Sequence, residues 1–129
     1  MNIVDSCGWL EYFSGSENAS FFEPILLDTA HLLVPSISIF EVCRRLLFLG
    51  LPQKADDAVS LMTKGKVIDL SAAQMMEASA AAMRYKLALA DAIIWQSAEV
   101  HKATLYTQDV DLKGLPHVKF KAKKPVPSK

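Results

Sequence analysis

Cysteine, histidine and long apolar runs are scarce in this 129-residue sequence. Cys7 and Cys43 are too far apart to form a CxxC motif, and we predict that both are reduced and buried. His31, His101 and His117 form no HxxxH or HxH pattern, which argues against a histidine-built zinc site. A metal bound by this sequence is therefore expected to have oxygen ligands.

A membrane-spanning segment is also missing from the sequence. Every apolar run is far shorter than the roughly 20 residues that a helix needs to cross a bilayer. The first five residues lack the basic and long apolar segments of a secretory signal and already contain Asp5. We therefore predict a cytoplasmic protein that does not contact a membrane.

Charge of one sign does not dominate, because 14 basic residues balance 14 acidic ones. Overall electrostatics therefore neither attract nor repel nucleic acid. Lysine is nevertheless concentrated near the end, and residues 119–129 are predicted to be a basic, solvated tail, with phosphate contact as the alternative. Repeats and Gly/Ser linkers are absent, so we expect one domain spanning residues 1–129.

Strand and helix patterns alternate along the chain. The predicted strands are 2–4, 31–34, 67–70, 104–107 and 117–120. The predicted helices are 6–13, 16–27 (broken or late-starting because of Pro24), one from Ser36 or Ser38 to 49, 53–63, 71–86 and 90–102. Strands joined through helices cannot form hairpins, so the sequence predicts a three-layer α/β/α sandwich around a mostly parallel, roughly five-stranded sheet.

Four acidic residues fall where such a sheet binds ligands, at the carboxyl ends of its strands. Asp5 follows the first strand, and Asp109 lies two residues beyond the strand 104–107. Glu41 and Asp91 lie in the first turns of helices that should begin at the same edge. We therefore expect all four carboxylates to converge in one pocket.

Convergence of these acids requires a cation. Two like charges about 4 Å apart repel by about 4 kcal/mol at an effective dielectric near 20. Oxygen ligands without histidine or thiolate point to Mg²⁺ or Mn²⁺, which bind carboxylates together with phosphate oxygens. The expected chemistry is phosphodiester hydrolysis by a metal-activated water.

Polar neighbours of the acids are candidates for supporting roles. Ser6 and Thr107 are expected to hold a carboxylate or a water by hydrogen bonds, although Ser6 is alternatively an ordinary helix N-cap. Asp111 competes with Asp109 for the place of the fourth acid.

Each acid also has a plainer interpretation. Taken singly, Glu41 and Asp91 are typical solvated residues near a helix N-terminus. Asp91, however, lies in the apolar stretch 87–94, where an isolated charge needs a partner. We expect exposed helix positions for Glu11, Glu77 and Glu99.

Aromatic side chains on apolar helix faces are the remaining candidates for contact with nucleic acid. We interpret them as core or dimer packing rather than as base-stacking groups. These residues are Trp9, Trp95, Phe40 and Phe48.

Four segments together resemble the PIN-domain family and, within it, the VapC-like toxins of bacterial and archaeal toxin–antitoxin pairs. They carry the four acids in the family's order: Asn2-Ile3-Val4-Asp5-Ser6-Cys7-Gly8-Trp9, Ser38-Ile39-Phe40-Glu41-Val42, Leu89-Ala90-Asp91-Ala92-Ile93-Ile94 and Thr104-Leu105-Tyr106-Thr107-Gln108-Asp109-Val110-Asp111-Leu112. Many relatives have arginine in place of Gln108 and phenylalanine in place of Leu112, which departs from the subfamily pattern but leaves the acids intact.

The resemblance implies cleavage of RNA with Mg²⁺ or Mn²⁺, homodimerisation, and neutralisation by an antitoxin whose C-terminal segment covers the toxin's groove. Arg44 and Arg45 are candidates for contact with RNA phosphates, with surface salt bridges as the alternative.

Two rival functions are open at this point. A PIN-like protein without catalysis would only bind RNA or a partner protein. A receiver-like signalling domain also has a parallel sheet, Mg²⁺ and acids at strand ends. It needs an acidic pair after the first strand, whereas Asp5 stands alone.

Overall fold

All five strands of the sheet run parallel in the computed structural model, which describes residues 1–124. The strands are β1 (Asn2–Val4), β2 (Leu33–Pro35), β3 (Lys66–Ile68), β4 (Thr104–Thr107) and β5 (Val118–Phe120). One set pairs as β1-β4-β5 and the other as β2-β3, and a parallel bridge between Asn2 and Leu32 joins the two sets. The resulting order is β3-β2-β1-β4-β5. Successive strands β2 and β3 are added on one side of β1, and β4 and β5 on the other. The crevice for a ligand therefore lies between β1 and β4, at the carboxyl ends of these two strands.

Helices cover both faces of the sheet. They are α1 (Ser6–Ser14), α2 (Ala19–Leu27), α3 (Ser36–Phe48), α4 (Pro52–Met62), α5 (Ala72–Tyr85) and α6 (Leu89–His101). Neighbouring strand residues point to opposite faces: Ile3 packs in a core with α5 and α6, while Val4 packs in a second core with α1 to α4. The predicted three-layer α/β/α sandwich is confirmed. Within residues 1–124, none of the helices is long and apolar enough to cross a membrane.

The second strand begins later than predicted. Residues Thr29–His31 form a short 3-10 turn instead, in which the imidazole Nδ1 of His31 lies 3.0 Å from a carboxylate oxygen of Asp28. Pro35 ends the strand and occupies the N-cap position of α3, so neither of the two predicted serines caps this helix. The hydroxyl of Ser36 donates to Asp69 instead.

Pro24 does not break its helix, which starts three residues later than the predicted stretch, at Ala19, and runs to Leu27. Proline lacks the N–H that would bond to the carbonyl of Ser20, but both residues are exposed, so water can satisfy that carbonyl. Phe22 and Leu26 are fully buried on the opposite side, and this burial offsets the missing hydrogen bond.

The described part of the basic tail is bound to the body of the protein rather than frayed. Lys119 lies within β5. The backbone N–H of Lys121 donates to the carbonyl of Thr107 at 2.9 Å, and that of Lys124 donates to a carboxylate oxygen of Glu17 at 2.8 Å. The rest of the predicted tail, residues 125–129, lies outside the described residues.

Candidate metal centre

Asp5 is a buried carboxylate at the junction of β1 and α1, with only 2% of its surface exposed. It is the N-cap of α1, and its Oδ1 accepts a hydrogen bond from the backbone N–H of Gly8 at 3.0 Å. The thiol of Cys7 donates to it at 3.0 Å, and the hydroxyl of Thr107 donates to Oδ2. Three donors therefore fix the orientation of this carboxylate.

Gly8 allows α1 to approach the sheet closely at this junction. A Cβ atom at this position would lie 2.5 Å from Cγ1 of Val4 and 2.8 Å from the ring of Phe22. A larger residue would push α1 away and break the hydrogen bond from the Gly8 N–H to Asp5. The sequence pattern alone did not reveal this requirement.

Ser6 connects Asp5's helix to the second acid. Its hydroxyl donates to Oε1 of Glu41 at 2.6 Å, which links α1 to α3. Because Asp5 is the N-cap of α1, the N-cap interpretation of Ser6 is wrong. The expected hydrogen bond to a carboxylate is present.

Thr107 makes the corresponding connection to the fourth acid. Its buried hydroxyl donates to Asp5 and accepts a hydrogen bond from the backbone N–H of Asp109 at 2.9 Å. Asp109 in turn caps a 3-10 turn, Val110–Leu112, by accepting from the N–H of Asp111 at 2.9 Å. One hydroxyl thus couples two acids that lie 104 positions apart in the sequence.

Asp91 lies in the first turn of α6 and is half-buried beside the side chain of Asp109. Carboxylate oxygens of Asp91, Asp109 and Asp111 all lie within 4.8 Å of one another. Asp111 is exposed, whereas Asp109 is half-buried. The apolar stretch around Asp91 is only partly buried, because Leu89 is 76% exposed.

All four predicted acids open into one cavity of about 550 Å³. Its lining consists of Asp5, Ser6, Cys7, Leu10, Glu41, Arg44, Arg45, Phe48, Asp91 and Asp109. The structure therefore brings together acids from four separate elements of the fold. Asp111 is not part of this lining and contacts the site from its edge, beside Asp109.

The negative charges in the cavity are poorly compensated. Burial raises the pKa of Asp5 to about 6, although the hydrogen bonds from Cys7, Thr107 and Gly8 lower it and the charge of Asp109 raises it. Burial raises the pKa of Asp91 to about 7, with further contributions from Asp109, Asp5 and Glu41. Within residues 1–124, no lysine or arginine forms an ion pair with any of these acids.

This donor set fits a hard divalent cation. Its ligands would be carboxylate oxygens, which Mg²⁺ and Mn²⁺ prefer, and a cation would stabilise the buried negative charges and relieve the repulsion among them. Cys7 is unsuited to be a ligand, because burial and the adjacent Asp5 raise its pKa and keep it a neutral thiol.

A PIN domain model matches residues 3–118 of the chain. The chain belongs to the PIN domain family. No curated protein sequence matches this PIN domain significantly.

Solved structures share the fold of this PIN domain at low sequence identity. A chain of a toxin–antitoxin complex from Klebsiella pneumoniae is 24% identical, with a TM-score of 0.73 over 92% of this chain and 96% of that one. A chain of VapBC2 from Rickettsia felis, bound to a DNA fragment from its promoter, is 15% identical, with a TM-score of 0.69 over 94% and 97%. PAE2754 from Pyrobaculum aerophilum is 17% identical, with a TM-score of 0.74 over 92% and 89%.

The aromatic and cysteine predictions are only partly met in this PIN domain. Trp9 and Trp95 are buried as expected. Phe40 and Phe48 are 62% and 78% exposed and do not belong to the core, so for these two residues dimer packing stays a prediction. They lie on the solvent side of α3. Both cysteines are free and only half-buried: Cys7, in contact with Asp5, and Cys43.

Glu11 is the clearest error of the sequence analysis, because this expected surface residue is only 8% exposed. Its Oε1 accepts a hydrogen bond from Nε2 of Gln108 at 3.1 Å, and its Oε2 accepts one from the backbone N–H of Asn18 at 3.0 Å. Asn18 Nδ2 donates to Gln108 Oε1 at 3.0 Å, which closes the network. No local pattern signals it, because Gln108 is 97 residues away from Glu11.

Proposed function

We propose that this PIN domain is a Mg²⁺- or Mn²⁺-dependent endoribonuclease that uses Asp5, Glu41, Asp91 and Asp109 as metal-binding catalytic residues. The observation that supports the proposal is the shared cavity, in which these carboxylates meet without a neutralising ion pair among the described residues. Asp111 is assigned a supporting position beside Asp109, because it is exposed and lies outside the cavity lining.

The residues of the chain prepare the site for phosphodiester hydrolysis. A bound divalent cation lowers the pKa of a coordinated water and stabilises charge on the leaving oxygen. Ser6 and Thr107 hold Glu41 and Asp5 in fixed orientations, so little reorganisation accompanies metal binding. Arg44 and Arg45 line the same cavity, and we assign them contacts with the RNA phosphates that flank the cleaved bond.

We further propose that the protein is the toxin of a VapBC-type pair, acts as a homodimer and is neutralised by an antitoxin. The support is the resemblance of the four acidic segments together with structural relatives from a toxin–antitoxin complex and from VapBC2. We expect a short overlapping upstream reading frame that encodes a small DNA-binding protein. Expression of the chain alone should stop growth, and co-expression of the upstream product should restore it.

Cleavage of a structured RNA by the purified protein tests the nuclease proposal directly. We expect cleavage with Mg²⁺ or Mn²⁺, none after EDTA, and none from Asp91→Ala or Asp5→Ala proteins that retain their circular dichroism spectrum. Undiminished cleavage by folded Asp91→Ala protein would contradict the assignment of the site.

The rival functions have less support. A PIN-like module that only binds would not need four poorly compensated carboxylates in one cavity, since their repulsion lowers stability. If wild-type protein binds RNA but never cleaves it with either metal, this alternative replaces the nuclease. The receiver-like alternative is disfavoured by membership in the PIN domain family.

A further inference from the structure

Phe48 is an exposed aromatic residue at the rim of the acidic cavity. Its side chain is 78% exposed, yet it lines the same cavity as the four acids. The guanidinium carbon of Arg45 lies 5.5 Å from the centroid of its ring. One ring and one cation thus form a pair directly beside the proposed cleavage site.

A second pair on the same helix provides an internal comparison. Phe40 is 62% exposed and has Arg44 at 5.6 Å from its ring centroid. Phe40, however, does not line the cavity. The two rings therefore have similar exposure and similar partners but differ in their access to the acids.

The charges at the rim suit a chain of phosphates. A phosphate bound near the carboxylates is followed by further phosphates, and each is repelled by acids unless a cation lies near it. Arg44 and Arg45 are the cationic side chains of the cavity lining. An exposed ring beside such cations is the arrangement with which proteins stack bases of single-stranded nucleic acid.

We propose that Phe48 and Arg45 form a nucleotide subsite, in which the ring stacks on an unpaired base and the guanidinium binds an adjacent phosphate. The inference rests on the proposed nuclease function and assigns the Phe48 ring to one unpaired nucleotide of the bound RNA. A paired base is already stacked on its neighbours within the helix, so the Phe48 ring can stack only on a base that has left a duplex.

A double-mutant cycle between the ring and the base tests this subsite. The substrates are a single-stranded oligoribonucleotide with one mapped cleavage site and a series in which one nucleotide near that site lacks its base. We expect Phe48→Ala to lower kcat/KM on the intact strand about tenfold, within the range for base–aromatic stacking. At one position of the series, removal of the base should lower cleavage by wild-type protein by the same factor of about ten. The same abasic substrate should cause no further loss in the Phe48→Ala protein.

The controls separate stacking from general damage. Phe40→Ala should cleave the intact strand as wild type does, Phe48→Trp should retain cleavage, and a fully paired duplex of the same sequence should be cut poorly. Equal losses in Phe40→Ala and Phe48→Ala, or additive losses at every abasic position, would overturn the subsite. So would a Phe48→Ala protein with normal cleavage but weakened binding to its antitoxin, which would make the rim a protein-docking surface.

Failure of the nuclease proposal would be recognised separately. If wild-type protein cleaves no RNA with either metal, binding of the same oligonucleotides is measured by fluorescence anisotropy. Binding that is weakened about tenfold by Phe48→Ala, but not by Phe40→Ala, supports the subsite without catalysis. Binding that neither variant changes overturns it.

Discussion

Helix α1 carries two buried carboxylates with opposite surroundings. Asp5 at its N-terminus is 2% exposed and faces other acids, including Asp109 and Asp91. Glu11, nearer its C-terminus, is 8% exposed and accepts hydrogen bonds from the amide groups of Gln108 and Asn18. Burial alone therefore does not distinguish a structural acid from a functional one, whereas the identity of its neighbours does.

The hydrogen bonds to Asp5 do not remove the cost of its burial. Its three donors lower the pKa, yet the pKa is still about 6, compared with an ordinary value of 3.8. In the absence of a cation, the folded protein therefore holds this charge unfavourably. Glu11 instead has a neutral donor for each of its oxygens, which is the usual solution for a buried polar group.

The largest expected effect comes from neutralising an acid of the cavity with Asp91→Asn. Because this removes a half-buried charge next to like charges, we expect the metal-free variant to unfold at a higher temperature than wild type. RNA cleavage should fall by more than the roughly 10- to 100-fold loss that follows removal of an outer partner of a metal ligand. Thermal unfolding in EDTA and initial cleavage rates with Mn²⁺ test both expectations, and a less stable but active variant would contradict them.

Neutralising the buried carboxylate of Glu11 with Glu11→Gln should lower stability and leave cleavage unchanged, the opposite of what we expect for Asp91→Asn. A glutamine offers one oxygen where Gln108 and Asn18 donate to two, so one donor would face an NH₂ group. We expect a loss of about 2 kcal/mol in the free energy of unfolding, measured with urea, and normal cleavage per folded molecule. A stabilised Glu11→Gln protein would remove the distinction between the two carboxylates.

The pH dependence of stability should report the acidic cavity. The pKa of Asp5 in the folded protein, about 6, lies above its unfolded value, so the native state binds more protons between about pH 4 and 6. Its contribution to stability is therefore greatest at low pH and is lost as the pH rises through about 6. Asp91, with a pKa of about 7, shifts in the same direction and extends the loss to slightly higher pH.

From the Asp5 shift alone, we expect the metal-free protein to be about 1–2 kcal/mol less stable at pH 7.5 than at pH 5. Urea unfolding in EDTA at both pH values provides the measurement. Asp5→Asn is the matched control and should reduce the difference, and Mn²⁺ should restore stability at pH 7.5. If wild type and Asp5→Asn lost the same amount of stability between pH 5 and pH 7.5, the loss would not originate in the titration of Asp5.

The sequence predicted the fold and the position of the acids well, because both follow from local patterns. Asp5 and Asp109 come just after strands, Asp91 lies in the first turn of a helix, and parallel strands place such positions at one edge. Burial of Glu11 and exposure of Phe48 were not predictable in this way. Each depends on which face of a helix meets a segment remote in sequence, such as the one containing Gln108.

Ser6→Ala should have the smallest effect of these changes. It tests whether Ser6, which follows Asp5 on α1, serves the acidic cavity or only the fold. The hydroxyl donates to Glu41 at 2.6 Å, and its loss frees that carboxylate to rotate away from the other acids. We expect cleavage to fall about tenfold, with a higher Mn²⁺ concentration needed for half-maximal rate. Stability should change by no more than about 1 kcal/mol, as for a single partly buried hydrogen bond. Excess Mn²⁺ should recover much of the cleavage rate of Ser6→Ala. If the cleavage rate stayed low at every Mn²⁺ concentration, Ser6 would instead belong with Glu11 to the residues that only maintain the fold.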